Sequence, residues 1–131
     1  MNGKPLLKDK DKKEKSHSSS WWQKKCDSLM QAIERTRWNR CEVCGKANEV
    51  GHHFITKSQS SFLRYEWKNI VPLCHSCHFK HHIQSDPHIS ATIIQKRGKE
   101  WYEWIEAHRR LGVKTGVNYY KQVWEHLTKN Q

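Results

Sequence analysis

A chain of 131 residues has room for one domain. Its 24 Lys and Arg against 13 Asp and Glu leave a formal charge of +11, which points to a polyanionic partner. No stretch approaches the roughly 18 apolar residues that cross a bilayer. The charged N-terminus lacks the apolar run of a signal peptide, so the chain reads as soluble and cytoplasmic, with its cysteines in a reducing compartment.

Residues 1–19 are dominated by Lys, Asp, Glu and Ser and read as a disordered basic arm, because they cannot bury enough surface to offset chain entropy. From Ser20 the character changes. Trp22, Cys26, Leu29 and Ile33 recur at helical steps, predicting an amphipathic helix over about 21–37 with Ser19 or Ser20 as N-cap. Residues 41–84 carry nearly all the site chemistry: NEVGHHFIT reads as one short strand, NIVPLC as a second, and HSCHFKHHI as the helix that follows. After Asp86 and Pro87, Ile89, Ile93 and Ile94 lead to Gly98, and Trp101, Trp104, Ile105 and Leu111 continue the pattern, predicting two short helices joined at that glycine. Val117, Tyr120, Val123, Trp124 and Leu127 mark a last helix over about 117–129. The domain is thus expected to span residues 20–131.

Four of the five cysteines fall in two C-x-x-C pairs, Cys41/Cys44 and Cys74/Cys77, with 29 residues between the pairs. Each such turn presents two thiolates to one tetrahedral ion, so the four predict a closed structural Zn2+ site. Hydrophobic residues make up only 35% of the chain, a thin supply for a core, and a structural metal would help hold it. Cys26, at an apolar helical position, reads as a small buried side chain.

A closed four-cysteine site needs no histidine, yet His52, His53, His75, His78, His81 and His82 surround it. On the helix after Cys74, His78 and His82 stand four apart and share a face, so they can share an ion. His75 and His81 are expected to point away, His81 as a surface residue or phosphate contact.

The order Cys-x2-Cys, His-His, Asn69 and CHSCH resembles the HNH (ββα-metal, His-Me finger) endonuclease family. The segment CEVCGKANEVGHHFITKSQSSFLRYEWKNIVPLCHSC, with KKCDSLMQAIERTR upstream and YYKQVW downstream, is similar to the phage NinG (Rap) recombination nucleases, over residues 21–128. It departs from them in having His52 where they usually carry Gly and His78 where they usually carry Asn. The resemblance implies an α+β fold in which a small Zn-stabilised ββα-metal core, about 41–84, is flanked by an N-terminal helix and two or three C-terminal helices. It also implies that His53 is the general base, that His52, His78 and His82 hold a catalytic divalent ion, and that Asn69 holds the loop orienting His53. DNA would be the substrate, duplex or branched, with products bearing 5′-phosphate and 3′-hydroxyl ends.

The chemistry fits these residue types. Water attack on a phosphodiester needs a base active near neutral pH, which imidazole supplies, and a cation beside the phosphate. Mg2+, Mn2+, Ni2+ and Zn2+ all remain open for that ion. Lys57 and Arg64 are expected phosphate contacts, with solvent exposure as the alternative, and Trp67 is a residue able to stack on a base. Two rival functions stand beside a phage recombination or branched-DNA nuclease: a non-catalytic Zn-stabilised nucleic-acid-binding protein, and a homing or host-DNA-degrading HNH nuclease. Monomer and homodimer are both open.

Overall fold

The computed structural model describes residues 17–129, so the arm expected over residues 1–19 lies outside it except for its last three positions. Helix α1 spans Ser19–Arg37. Ser18 is the N-cap, one residue before the expected position, and its hydroxyl accepts from the Trp21 backbone N–H at 3.1 Å. Cys26, Met30, Ile33 and Glu34 form its buried stripe. Met30 takes the central place in that stripe, while Trp22 and Leu29, expected there, are only half-buried.

Strands β1, Val50–His53, and β2, Ile70–Leu73, pair antiparallel with Gly51 opposite Pro72 and His53 opposite Ile70. Both are shorter than the segments NEVGHHFIT and NIVPLC expected to form them. Two single turns of 3-10 helix, Leu63–Tyr65 and Trp67–Asn69, close the connection between the strands. Helix α2, His75–His82, follows β2 directly, and α3, Pro87–Arg97, and α4, Lys99–His108, meet at Gly98 as the sequence predicts. Leu111 lies beyond α4 and is 48% exposed, so it is not part of the helical core stripe. The last helix, α5, spans Val117–Lys129 and buries Tyr120 and Leu127. Among the described residues the architecture is α+β: five α-helices around a two-stranded sheet.

A two-stranded sheet is marginal by itself and needs cover. Helix α1 covers β1: the Gln31 side chain donates to the Gly51 carbonyl at 2.7 Å and accepts the Gly51 N–H at 2.9 Å, completing the strand's free edge as a third strand would. The approach is close enough to require glycine, since a Cβ on Gly51 would stand 2.8 Å from Glu34 Cγ. Burial raises the Glu34 carboxyl above its usual range, and Asn48 donates to one of its oxygens. Below α1, Met30, Ile33, Ile70 and Leu127 join the sheet to α5. On the other side, Val71, Leu73, Ile89 and Ile93 pack with Cys41, Cys74 and Cys77 of the two C-x-x-C pairs. Ile55, Leu63 and Ile105 seal the strand connection against α4.

From the end of α3, Arg97 forms a two-pronged ion pair with Glu42, at 2.7 and 2.8 Å, and donates to the Ile70 carbonyl at 2.9 Å. The loop bearing Cys41 and Cys44 is thereby fastened to β2. Among the described residues no helix is long and apolar enough to cross a membrane.

Candidate metal centre

The two halves of the chain's metal chemistry meet on α2. At its start, the Sγ atoms of Cys41, Cys44, Cys74 and Cys77 all lie within 4.8 Å of one another. A tetrahedral Zn2+ with Zn–S bonds of 2.3 Å needs S···S edges of about 3.8 Å, and Cys44 and Cys74 stand 3.6 Å apart. Gly45, at φ +79°, turns the first pair back on itself so that its N–H reaches the Cys41 carbonyl at 3.0 Å. The Cys74 sulfur caps α2 by accepting from the Cys77 N–H at 3.4 Å, where the helix dipole favours a thiolate. Burial raises the Cys41 thiol, but backbone N–H groups around it outweigh burial and leave it at about 7. The cluster has the composition and spacing of a closed structural Zn2+ site.

One residue further along, the same helix turns to a second task. His78 and His82, one turn apart with ring centroids at 4.3 Å, face His52 on β1, whose ring centre is 5.2 Å from each. One ring nitrogen from each of the three lies within 4.8 Å of the others. His52 is 3% exposed, and its Nε2 is buried without a hydrogen-bond partner among the described residues, an orphaned atom that a cation would satisfy. Burial and the neighbouring imidazoles push His52 far below the usual histidine range and His78 down to about 4, so both are neutral, ligand-competent rings at neutral pH.

The residues therefore fit a divalent ion. Three imidazoles suit Ni2+, Zn2+ and related transition ions better than Mg2+, which prefers oxygen. The lining of the adjoining cleft of about 380 Å³ is Gln31, Val50, Gly51, His52, His53, Thr56, Lys57, His78 and His82, with no carboxylate among them. An ion held by neutral ligands keeps its full double charge for an anion entering that cleft.

His53, the next residue of β1, lines the same cleft and turns its Nε2 toward the strand connection. That Nε2 lies 2.9 Å from the Arg64 carbonyl. A carbonyl only accepts, so Nε2 carries the proton and Nδ1 keeps its lone pair. Burial lowers the His53 pKa below the usual histidine value, which keeps the ring neutral. The carbonyl is itself held in place. Arg64 pairs with Asp27 on α1 at 2.6 and 3.1 Å, and Tyr65 donates to the same carboxylate at 2.9 Å.

Asn69 is fully buried and ties the two ends of the strand connection together. Its Oδ1 accepts from the Ile55 N–H at 2.8 Å, and its Nδ2 donates to the carbonyls of Ile55, at 2.9 Å, and Leu63, at 3.2 Å.

Three expectations are revised. Arg64 is not a free phosphate contact: both prongs of its guanidinium are committed to Asp27, and its side chain is 16% exposed. Trp67 is half-buried beside Met30, Ile33, Ile70 and Leu127, and the Arg37 guanidinium lies 4.4 Å from its ring centroid, where a stacking base would otherwise lie. His81 does not point away. Its ring lies 4.8 Å from His52 and 5.0 Å from His82, with Nδ1 3.5 Å from the Ser90 hydroxyl, which makes it a wall of the histidine cluster. The spacing of three from His78 is the signal that finds it, since i and i+3 also share a helix face. Lys57 is 47% exposed and lines the cleft, 4.0 Å from Asp27. His75 points outward toward Glu49, as expected. Cys26 is fully buried and its thiol pushed up to about 11, chiefly by burial.

An antiparallel hairpin feeding one helix, with a three-histidine cluster and His53 lining one cleft, has the arrangement of a ββα-metal core. Residues 41–85 match the family model described as HNH endonuclease, which supports the HNH family for this segment. The match takes in the knuckle, both strands and α2, while α1 and the last three helices lie outside it apart from the chain between. No curated protein and no solved structure matches the chain.

Proposed function

We propose that the protein is a metal-dependent endonuclease that hydrolyses DNA phosphodiester bonds through His53 and the ion site of His52, His78 and His82. The observation that carries this reading is the convergence of three imidazole nitrogens, one of them buried and unpartnered, beside a fourth histidine whose Nε2 is anchored to a carbonyl. A bound divalent ion would stabilise negative charge on the phosphate and on the leaving 3′ oxygen. His53 Nδ1 takes the proton from the attacking water. The carbonyl of Arg64 holds the ring for that transfer, and Asn69 holds the segment on which Ile55 and Leu63 lie. Lys57, at the rim of the cleft, draws in the phosphate.

The resemblance of the flanking segments to phage NinG nucleases supports a role in recombination or branched-DNA processing for a phage-encoded protein. A nicking assay on supercoiled plasmid and on a four-way junction, with Mg2+, Mn2+, Ni2+ or EDTA, tests the proposal. Cleavage with a transition ion and none with EDTA is expected. Salt-sensitive binding with no cleavage under any ion would instead make the protein a non-catalytic binding module.

A further inference from the structure

The first turns of α1 carry a second constellation that the metal centre does not use. Trp21, Trp22 and Lys25 on α1 and Trp124 on α5 line a cavity of about 300 Å³. Trp21 and Trp22 stand edge to face with centroids 5.2 Å apart, and the Lys25 ammonium lies 5.2 Å from the Trp21 ring and 5.6 Å from the Trp124 ring. Lys121 adds a second cation 5.5 Å from Trp22. Three tryptophans are a large aromatic investment for one end of a chain this short of apolar residues.

From this geometry we infer that the tryptophan cavity is a stacking site for an unpaired nucleobase of single-stranded or branched DNA, with Lys25 and Lys121 meeting its phosphates. Two observations point to that occupant. His17 already lies flat on Trp21, with ring centroids at 3.6 Å and planes 5° apart, so the face accepts a planar nitrogen heterocycle at stacking distance. The Trp22 indole N–H is buried and lacks a hydrogen-bond partner among the described residues, a donor suited to an acceptor of the kind base edges and phosphates supply. The lysines argue against a cationic guest, since a cage for ammonium groups does not carry its own cations.

A paired base hides its faces from a tryptophan, so the site selects strand ends, flaps and junctions over continuous duplex. Along α1, Lys25 and Trp21 stand roughly 9 and 15 Å from Gln31, which lines the metal cleft. A displaced strand of a few nucleotides can span that distance. The inference rests on the proposed DNA substrate but not on catalysis.

Binding of a dT oligonucleotide carrying one 2-aminopurine, followed by quenching of that base in EDTA, tests it. Stacking predicts strong quenching by the wild-type protein, and Trp21→Ala should weaken binding about tenfold, the range for one lost stacked base. Lys25→Glu should weaken it further, and His17→Ala, by freeing the face, should tighten it. Plasmid nicking should stay near the wild-type rate in all three. Equal oligonucleotide affinity in wild type and Trp21→Ala would overturn the inference, as would equal losses for the oligonucleotide and for blunt duplex. Should Trp21→Ala fail to fold, Trp21→Phe must retain quenching and Lys25→Glu must lose affinity, or the site is wrong. Retained quenching with no plasmid nicking would leave the stacking site standing and remove the nuclease; nicking with no quenching would do the reverse.

Discussion

Replacing His53 by alanine isolates the base from the ion site. His53 belongs to neither the cluster of His52, His78 and His82 nor that of Cys41, Cys44, Cys74 and Cys77, so metal content and DNA affinity should stay near wild type. Loss of a positioned base slows a reaction by roughly 100- to 10,000-fold. The cleft points to the upper part of that range. No carboxylate lines it, and in the proposed mechanism the other cleft imidazoles hold the ion, so no neighbour stands in for the base. The pH profile gives an independent reading. The neutral ring is the competent form, and burial lowers its pKa below 6.5. At saturating metal the wild-type rate should therefore hold level down through 6.5 and fall one decade per unit only below that lowered value. His53→Ala should lose this limb. Plasmid nicking over pH 5 to 8, the window in which histidine titrates, measures both. A variant within about tenfold of wild type, or a wild-type limb centred above 6.5, would refute the assignment.

Four further outcomes follow from the same geometry. Gly51→Ala sets a methyl 2.8 Å from a buried, hydrogen-bonded Glu34, so urea unfolding should show a loss of about 1–3 kcal/mol; an unchanged midpoint contradicts the close approach. His82→Ala should weaken Ni2+ binding in calorimetry by at least tenfold, since even the outer partners of a ligand are worth about 10- to 100-fold, and the wild-type site should prefer Ni2+ to Mn2+ and Mn2+ to Mg2+. EDTA should abolish nicking while circular dichroism and zinc content persist, and added Mn2+ should restore it; loss of structure together with activity would mean one metal, not two. Lys57→Ala should lower the salt slope of DNA binding by about 0.9, one phosphate contact, whereas Arg64→Ala should leave that slope alone and destabilise the protein by stranding Asp27.

What the sequence revealed and what it hid divide along physical lines. Contacts within one element were legible because spacing alone fixes them: the C-x-x-C turns, His78 over His82, the break at Gly98. The pairing of Cys41/Cys44 with Cys74/Cys77 was legible too, since four thiolates have one tetrahedral solution. The fates of Arg64 and Trp67 were not. Each looks free in its own segment and is claimed by a partner on α1, Asp27 across 37 residues and Arg37 across 30. Such pairings depend on the docking of α1 against the strand connection, which periodicity does not encode. The tryptophan cavity was hidden for the same reason: Trp22 reads as part of a helical stripe until Trp124 arrives from α5 to line a cavity with it and Trp21.

The division of labour on α2 explains why a chain with so small a sheet can present a site of fixed geometry. A two-stranded hairpin and an eight-residue helix are each marginal in water. The four-cysteine cluster sits where the chain enters that helix, with Cys74 as its N-cap and Cys41 tied through Glu42 to Arg97 and β2. A metal bound there orients the first turn of α2 against the sheet. His78 follows Cys77 with no intervening residue, so its position is set by the cysteine turn itself, and His82 is placed one turn further by helix geometry alone. His52 enters from β1, whose free edge is held by Gln31 and whose partner strand runs into Cys74. Every ligand of the three-histidine cluster is thus at most a strand or two helical turns from the four cysteines. On the proposed function, a zinc held by the four cysteines would fix helix and hairpin, so the histidine cluster could do without carboxylates and leave the charge of a bound cation for the phosphate.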